Sequence, residues 1–392
     1  MILDAVFPTD PRVENEALTL IEAGHEVFLF CLHYGAELEK EDVKGIRVRR
    51  YLSTNFEYKM SALVYTFPYY RNVMSKKIKN FIDANSIQTV HIHDIQIASA
   101  TYKALKGTNI PVVLDLHENR PEIMKFYPHL QKFPGKFLIQ PSTWKKQEKI
   151  FIENSRYTLV VTEEAKKEIA SRCMISEDSI VVVPNTVRES FYKNAIVNDE
   201  ILNKYASKFV MLYVGDTGLR RGLLTAIESL PYLKNTIPTI KLVIVGNSSS
   251  DSILKKKVAE LGVSEYVDFE GWKDVSLFPS YIKSSSICIS PLHRNLHHDT
   301  TYANKIFQYM SFEKPLLVSD AVAQKNIVLK AKSGLVHKEK DSNSFSEKVQ
   351  ELHANKNARV QFGLHGKLFI EKEFSWEKTS KNLVHLYNNL SV

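Results

Sequence analysis

Cysteine is scarce in this 392-residue sequence, and its three copies, Cys31, Cys173 and Cys288, stand singly with no CxxC pair. That spacing argues against a disulfide framework and a zinc site, and fits a reducing cytosol. No charged leader followed by an apolar segment opens the chain, and no apolar run approaches the roughly 18 residues of a membrane span. The expectation is a protein that stays where it is made. G-x-S-x-G and P-loop patterns are missing, as are repeats of solenoid length and low-complexity tracts.

What is present is an ordinary globular composition, 44% hydrophobic and 24% charged. At about 100 to 200 residues per domain, the length suggests two domains of similar size. The net charge of +8 is uneven: residues 1–196 hold 26 Lys+Arg against 24 Asp+Glu, leaving 26 against 20 beyond. A basic C-terminal half suits an anionic ligand such as a nucleotide diphosphate, although a surplus of that size is also what a solvated surface carries.

Short β-branched runs alternate with helical patterns. Strands are expected at Ile2–Phe7, Glu26–Leu32, Ile46–Arg50, Thr89–His93, Pro111–Leu116, Tyr157–Val161 and Ser179–Val183. After a lapse of periodicity over residues 183–200 they resume at Phe209–Val214, Lys241–Val245, Val267–Glu270, Ile287–Ser290 and Pro315–Ser319. In "TDPRVENEALTLIEAGHEV", Asp10 is placed to cap a helix with Pro11 at its first position, Val13, Ala17, Leu20 and Ile21 on one face, and Gly24 at its end. Strand, helix, strand with short connections predicts parallel sheets. The fold class is α/β: two doubly wound, Rossmann-like domains, residues 1–190 and 191–373, facing a cleft, where ligands collect at the carboxyl ends of the strands. Residues 374–392, "FSWEKTSKNLVHLYNNLSV" onward from Phe374, read as a closing helix that packs back on the first domain.

Two stretches in the second half point to phosphate chemistry. In "LYVGDTGLRRG", a buried strand ends at Gly215, Thr217 and Gly218 form a turn, and Arg220 and Arg221 stand at the next helix. Glycines admit a phosphate close to the backbone and an Arg fork grips two oxygens, but a plain turn with two exposed arginines has the same pattern. In "SPLHRNLHHDTTYANKIFQYM", Thr301 is placed to cap a helix from Tyr302. Thr301, Asn304, Gln308 and Ser311 then form a polar stripe beside Lys305, facing either solvent or a ligand. In the first half "VHIHD" and "VVLDLHE" end in His93 with Asp94 and in His117 with Glu118. A histidine beside an acid at a strand end can polarise a hydroxyl or donate to a phosphate, and it also serves as a structural group. Residues 60–81, rich in aromatics and lysine, offer either a peripheral membrane contact or a core helix with a basic end.

In this order the segments resemble glycosyltransferase family 4, nucleotide-sugar transferases of the GT-B fold. "FPTDPRVENEALTLIEAGHEV", "VHIHD", "LDLHE", "VVVPNTV" with Thr186 where glycine is usual, "LYVGDTGLRRGLLTAIESL", "LVIVGNSSS", the segment from Ser290 to Asp320 and "FSWEKTSKNLVHLY" span nearly the whole chain. The resemblance implies that Arg221 grips the donor diphosphate, that Arg220 stands in for an arginine replaced by Asp216, and that His93, Asp94 and His117 lie near the donor sugar. It also places the base at Gly271 and Trp272. The family's paired glutamates read Thr300 and Gln308 here, as in a subset with N-K-[IL]-F-Q-Y-M. The implied catalytic residues are therefore His93, Asp94, His117, Arg221 and Lys305. Gly215, Thr217, Gly218, Arg220, Trp272, Thr300, Thr301, Asn304 and Gln308 join Arg221 and Lys305 in binding the donor.

The implied activity is sugar transfer, with retention, from a UDP- or GDP-sugar to a glycan or lipid-linked acceptor in cell-surface polysaccharide or glycoconjugate synthesis. The implied place is the cytoplasm or the inner face of the membrane, with no metal, no further cofactor and no nucleic acid. Two alternatives accompany it: a catalytically silent GT-B protein that binds glycan or partners another transferase, motivated by Thr300, Gln308 and Asp216, and a GT-B epimerase or phosphorylase.

Overall fold

In the computed structural model, which describes residues 1–35 and 37–390, Asp10 caps the first helix, Pro11–Glu22, by accepting from the amides of Arg12 and Val13. The buried face of that helix holds Val13, Ala17 and Leu20, as the apolar spacing predicts, but also Arg12 and Glu16. A hydrophobic period does not register charged residues that are buried against one another.

The chain divides into two units, Met1–Pro184 with the chain from Ser380 on, and Asn185–Thr379. The first holds β1 (Phe28–His33), β2 (Lys40–Val43), β3 (Ile46–Leu52), β4 (Val90–His93), β5 (Val112–Asp115), β6 (Tyr157–Val160) and β7 (Ile180–Val182). Their orders are β1-β3-β2 and β4-β5-β6-β7, and Ile2 bridges both sets through Phe30 and Ile92. The expected first strand, Ile2–Phe7, is thus reduced to a bridge at Ile2; the chain bends from Asp4 and carries that carboxylate to the strand ends. Strand β2 escapes the sequence reading because "KEDV" is an exposed, charged edge, which is how native sheets protect an edge.

The second unit holds β8 (Phe209–Val214), β9 (Ile240–Val245), β10 (Val267–Gly271), β11 (Ile287–Ser290), β12 (Leu316–Ser319) and β13 (Gly334–His337). They form one sheet in the order β10-β9-β8-β11-β12-β13, every neighbouring pair parallel. Along β8, Val210, Leu212 and Val214 enter one core, while Phe209, Met211 and Tyr213 enter the other. Helices on both faces therefore bury a continuous apolar strand. Strand β13 is unexpected: a Cβ on Gly334 would lie 2.1 Å from the Leu316 carbonyl oxygen, so the glycine that weakens the strand signal also permits the pairing.

Two further expectations change. Residues 374–392 do not form one helix: Trp376–Thr379 is a turn of the second unit, whereas Lys381–Asn389 buries Leu383 and Leu386 in the first. Ser391 and Val392 lie outside the described residues. Within residues 60–81, Tyr70, Met74, Ile78 and Phe81 of the helix Tyr69–Asn85 are core, so its apolar face is not free for a membrane. No described helix is long and apolar enough to cross one.

Candidate functional site

Strand order in the second unit reverses between β8 and β11, and the crevice of such a sheet lies beyond the carboxyl ends of the strands at that point. There β8 runs into Gly215, whose φ of 121° favours glycine. Arg220 and Arg221 follow in a 3-10 turn, Leu219–Arg221, ahead of the helix Leu223–Thr236 rather than inside it. The turn is sealed by Gly222, where a Cβ would lie 1.7 Å from the Pro291 carbonyl oxygen.

Asp216 holds the cations in place. Its carboxylate accepts from the Gly218 amide at 3.1 Å and from Arg221 Nε at 3.1 Å, with Arg220 Nη2 at 3.6 Å. Arg220 Nη1 lies 3.0 Å from His298 Nε2, while His298 Nδ1 lies 2.7 Å from the His293 carbonyl. Those partners fix the tautomer, Nδ1–H donating to the carbonyl and Nε2 accepting from the guanidinium. Burial first, then the two arginines, push His298 down to about 3, which keeps it an acceptor. This orienting histidine is missed by sequence reasoning, since only the fold brings it to Arg220.

Lys305 is half-buried, yet its Nζ is covered and has no hydrogen-bond partner. The ammonium sits 3.3 Å from the centroid of the Tyr213 ring, and burial, followed by the charges of Arg221 and Arg220, holds its pKa well below the usual lysine value. Three cations thus converge on one strand end. An anion at that point would favour the ammonium form that burial disfavours.

The other predicted residues separate into two groups. Asn304 is exposed and Gln308 half-buried. Thr217 is buried, its hydroxyl bonded to Asp251 and, at 3.0 Å, to Ser248. The cap expected from Thr301 does not form: its hydroxyl donates back to the His297 carbonyl at 2.6 Å, and the helix runs from Lys305 to Ser311. Thr300 likewise donates to the Leu296 carbonyl at 2.6 Å, and Ser311 is buried, so the polar stripe is reduced to Asn304, Lys305 and Gln308. Trp272, 70% exposed, follows Gly271 and lines a cavity of about 290 Å³ with Gly215, Asp216, Asn247, Lys273 and Phe278. Aromatic residues together with the strand-end backbone are what a flat heterocycle takes.

In the first unit β4 and β5 pair so that His93 lies opposite Asp115. Asp115 is fully buried and takes a two-pronged bond from Arg12, Nε at 2.9 Å and Nη2 at 2.7 Å, while Nη1 donates to the Val183 carbonyl at 2.8 Å. Glu16 lies 2.9 Å from the same guanidinium. His117 Nε2 approaches Asp115 at 2.8 Å and His93 Nδ1 at 3.1 Å, and its Nδ1 faces Asp10 at 3.4 Å and Asp94 at 4.0 Å. Burial alone favours a neutral ring at His117, but Asp115, Asp94 and Asp10 outweigh it and hold the pKa well above the usual value. His93 goes the other way, lowered by burial first and by the His117 charge. A charged and a neutral imidazole therefore stand side by side. Asp94 takes a φ of 65°, a strained conformation for a non-glycine residue that turns its carboxylate to His117.

His93, Asp94 and His117 line a cavity of about 730 Å³ with Asp4, Asp10 and Arg120. Asp4 is pushed up to about 7, burial outweighing the pull of Tyr70 and Arg120. Arg12, Glu16, Asp115 and Asp4 were not singled out in the sequence. Glu16, His91, His93 and Asp115 have ligand atoms within 4.8 Å of one another, but Arg12 already supplies their cation.

Two family models match the chain, "Glycosyltransferase Family 4" over residues 12–191 and "Glycosyl transferases group 1" over residues 196–369. A putative glycosyltransferase, EpsD of Bacillus subtilis, is 21% identical over 46% of this chain and 45% of its own length, so the chain matches less than half of that relative. An uncharacterised glycosyltransferase of Methanocaldococcus jannaschii is 19% identical over 94% of this chain and 90% of its own. Among solved structures, sucrose-phosphate synthase of Thermosynechococcus elongatus superposes with a TM-score of 0.76 at 17% identity, covering 97% of this chain and 92% of that one. HepE of Anabaena, in complex with UDP-glucose, gives 0.71 at 12%, covering 99% and 98%. The fold is GT-B.

Proposed function

We propose that this chain, a glycosyltransferase of the GT-B type that is family-4-like along both halves, transfers a sugar with retention from a nucleotide diphosphate sugar to a glycan or lipid-linked acceptor. The observation that carries the reading is the gathering of Arg220, Arg221 and Lys305 at the end of β8, beside a cavity lined by Trp272 and Phe278. In the reaction the bond from the anomeric carbon to the phosphate oxygen breaks and its electron pair stays on the diphosphate. The acceptor hydroxyl attacks from the same face and its proton passes to the departing phosphate oxygen. The cations neutralise the charge that develops, a role in which no metal is required. UDP is the favoured nucleotide, in keeping with the HepE complex. The first unit's cavity, with Asp4, Asp94 and His117 on its wall, is the place for acceptor hydroxyls. The cytoplasm, facing the membrane where surface glycans are built, is the matching location, and the three thiols are free and buried.

Calorimetry with UDP and GDP tests the reading. Wild-type protein is expected to bind UDP. Gln308→Ala is expected to weaken it by about three- to tenfold, the loss of one neutral hydrogen bond to a ribose hydroxyl. Asp216→Asn is expected to act oppositely, tightening UDP by roughly three- to tenfold, because the carboxylate that competes with the diphosphate for Arg221 and Arg220 loses its charge. The silent GT-B reading is favoured by Asp216 and by the inward-turned Thr300. No binding of either nucleotide would select that reading, and UDP binding with turnover of a sugar nucleotide would remove it.

A further inference from the structure

Two stretches of 25 residues, 58–82 and 123–147, contain no aspartate or glutamate, although the chain has 44. Each holds five lysines or arginines. The fold brings them together: the Thr66 hydroxyl donates to the Leu138 carbonyl, and the Tyr65 ring packs edge-on against Trp144 at 4.8 Å. Both stretches line the 730 Å³ cavity, Tyr58 and Lys59 from one, His129 and Leu138 from the other.

The rim they form is both apolar and cationic. Phe133 is 83% exposed and Phe137 66%, their rings 6.1 Å apart, and Tyr58 is 65% exposed. Lys59, Lys132 and Lys136 are exposed and form no ion pair among the described residues. In "KFPGKF" aromatics and lysines alternate on one short lobe instead of forming a cationic track. Aromatic rings at the level of lipid head groups, flanked by lysines, are what an anionic bilayer surface takes.

We propose that this rim seats on an anionic lipid bilayer, so that the cavity behind it receives an acceptor carried by that bilayer. The residues differ from the core helix within 60–81: the contact is made by the lobe 132–137 with Tyr58 and Lys59. The occupant of the cavity rests on the transferase reading, whereas the docking itself does not.

The test is cosedimentation of the full chain with phosphatidylcholine vesicles, with and without phosphatidylglycerol. Wild-type protein is expected to pellet with the anionic vesicles and to be released by salt. Lys132→Glu/Lys136→Glu and, separately, Phe133→Ser/Phe137→Ser are each expected to lower vesicle affinity by about tenfold or more, with unchanged circular dichroism and UDP binding. Equal binding to both vesicle types, no binding to either, wild-type binding by both variants, or equal competition by a soluble polyanion such as heparin would overturn the proposal. UDP binding without vesicle binding rejects the docking alone, and vesicle binding without UDP binding rejects the transferase reading alone.

Discussion

Replacing Lys305 by alanine is expected to lower kcat/KM for the sugar-nucleotide donor by about 100- to 1,000-fold, the loss of roughly 3 to 4 kcal/mol from one well-placed charge donor. The Lys305 ammonium is covered, its Nζ without a hydrogen-bond partner and set against the Tyr213 ring, and it is pushed toward its neutral form by burial and two arginines. Such a group costs stability in the absence of a ligand. Its partner would be the diphosphate, which grows more negative as the glycosidic bond breaks. Lys305→Ala is therefore expected to leave the melting temperature unchanged or slightly raised while turnover collapses. A second readout follows from the depressed pKa: at pH values between the lowered pKa and the ordinary lysine value, UDP binding should take up a proton at Lys305, visible as a dependence of the binding enthalpy on the buffer, and this contribution should be lost in Lys305→Ala. Turnover within about threefold of wild type would remove Lys305 from the phosphate clamp.

The cationic strand end of the second unit is largely legible in the sequence because its devices are local. A buried strand, a glycine at its end and two arginines nearby report a strand-end turn within ten residues, the polar stripe brings in Lys305 beside it, and the resemblance supplies Trp272. What failed also failed for local reasons. Thr301 satisfies the rule for a helix cap, but the preceding turn Leu296–Asp299 offers its hydroxyl the His297 carbonyl first, which moves the helix start to Lys305. At Asp216 the sequence shows only the loss of an arginine, and the geometry reveals a carboxylate held by both neighbouring arginines. In the first unit the two histidine motifs were visible, whereas the residues that set their charge were not. Arg12 and Asp115 are 103 positions apart, and Asp115 is the one polar residue in "VVLDL", where it carries no hint of its partner.

That pair carries the largest expected effect on stability. Arg12, Glu16 and Asp115 are at most 2% exposed, and Arg12 joins the first helix to β5 and, through the Val183 carbonyl, to the end of β7. Removing one member of a buried pair leaves the other charge unsolvated, so Arg12→Met is expected to destabilise the first unit by about 3 to 5 kcal/mol. Arg12→Lys keeps the charge but cannot form the fork to both Asp115 oxygens, and should recover only part of the loss. The triple variant Arg12→Met/Glu16→Gln/Asp115→Asn removes both buried carboxyl groups that Arg12 serves and should be more stable than Arg12→Met alone, since much of the destabilisation comes from a buried carboxylate deprived of its guanidinium. Amide exchange in β4 and β5 localises the effect: protection there should fall in Arg12→Met while β8 and β9 keep theirs. The same substitution bears on the chemistry. Without the guanidinium, Asp115 loses the largest influence holding its pKa down, so its carboxyl should titrate higher in Arg12→Met than in the wild type, measurable by NMR. An unshifted Asp115 together with a loss of less than about 1 kcal/mol would mean that Arg12 is not the anchor of this site.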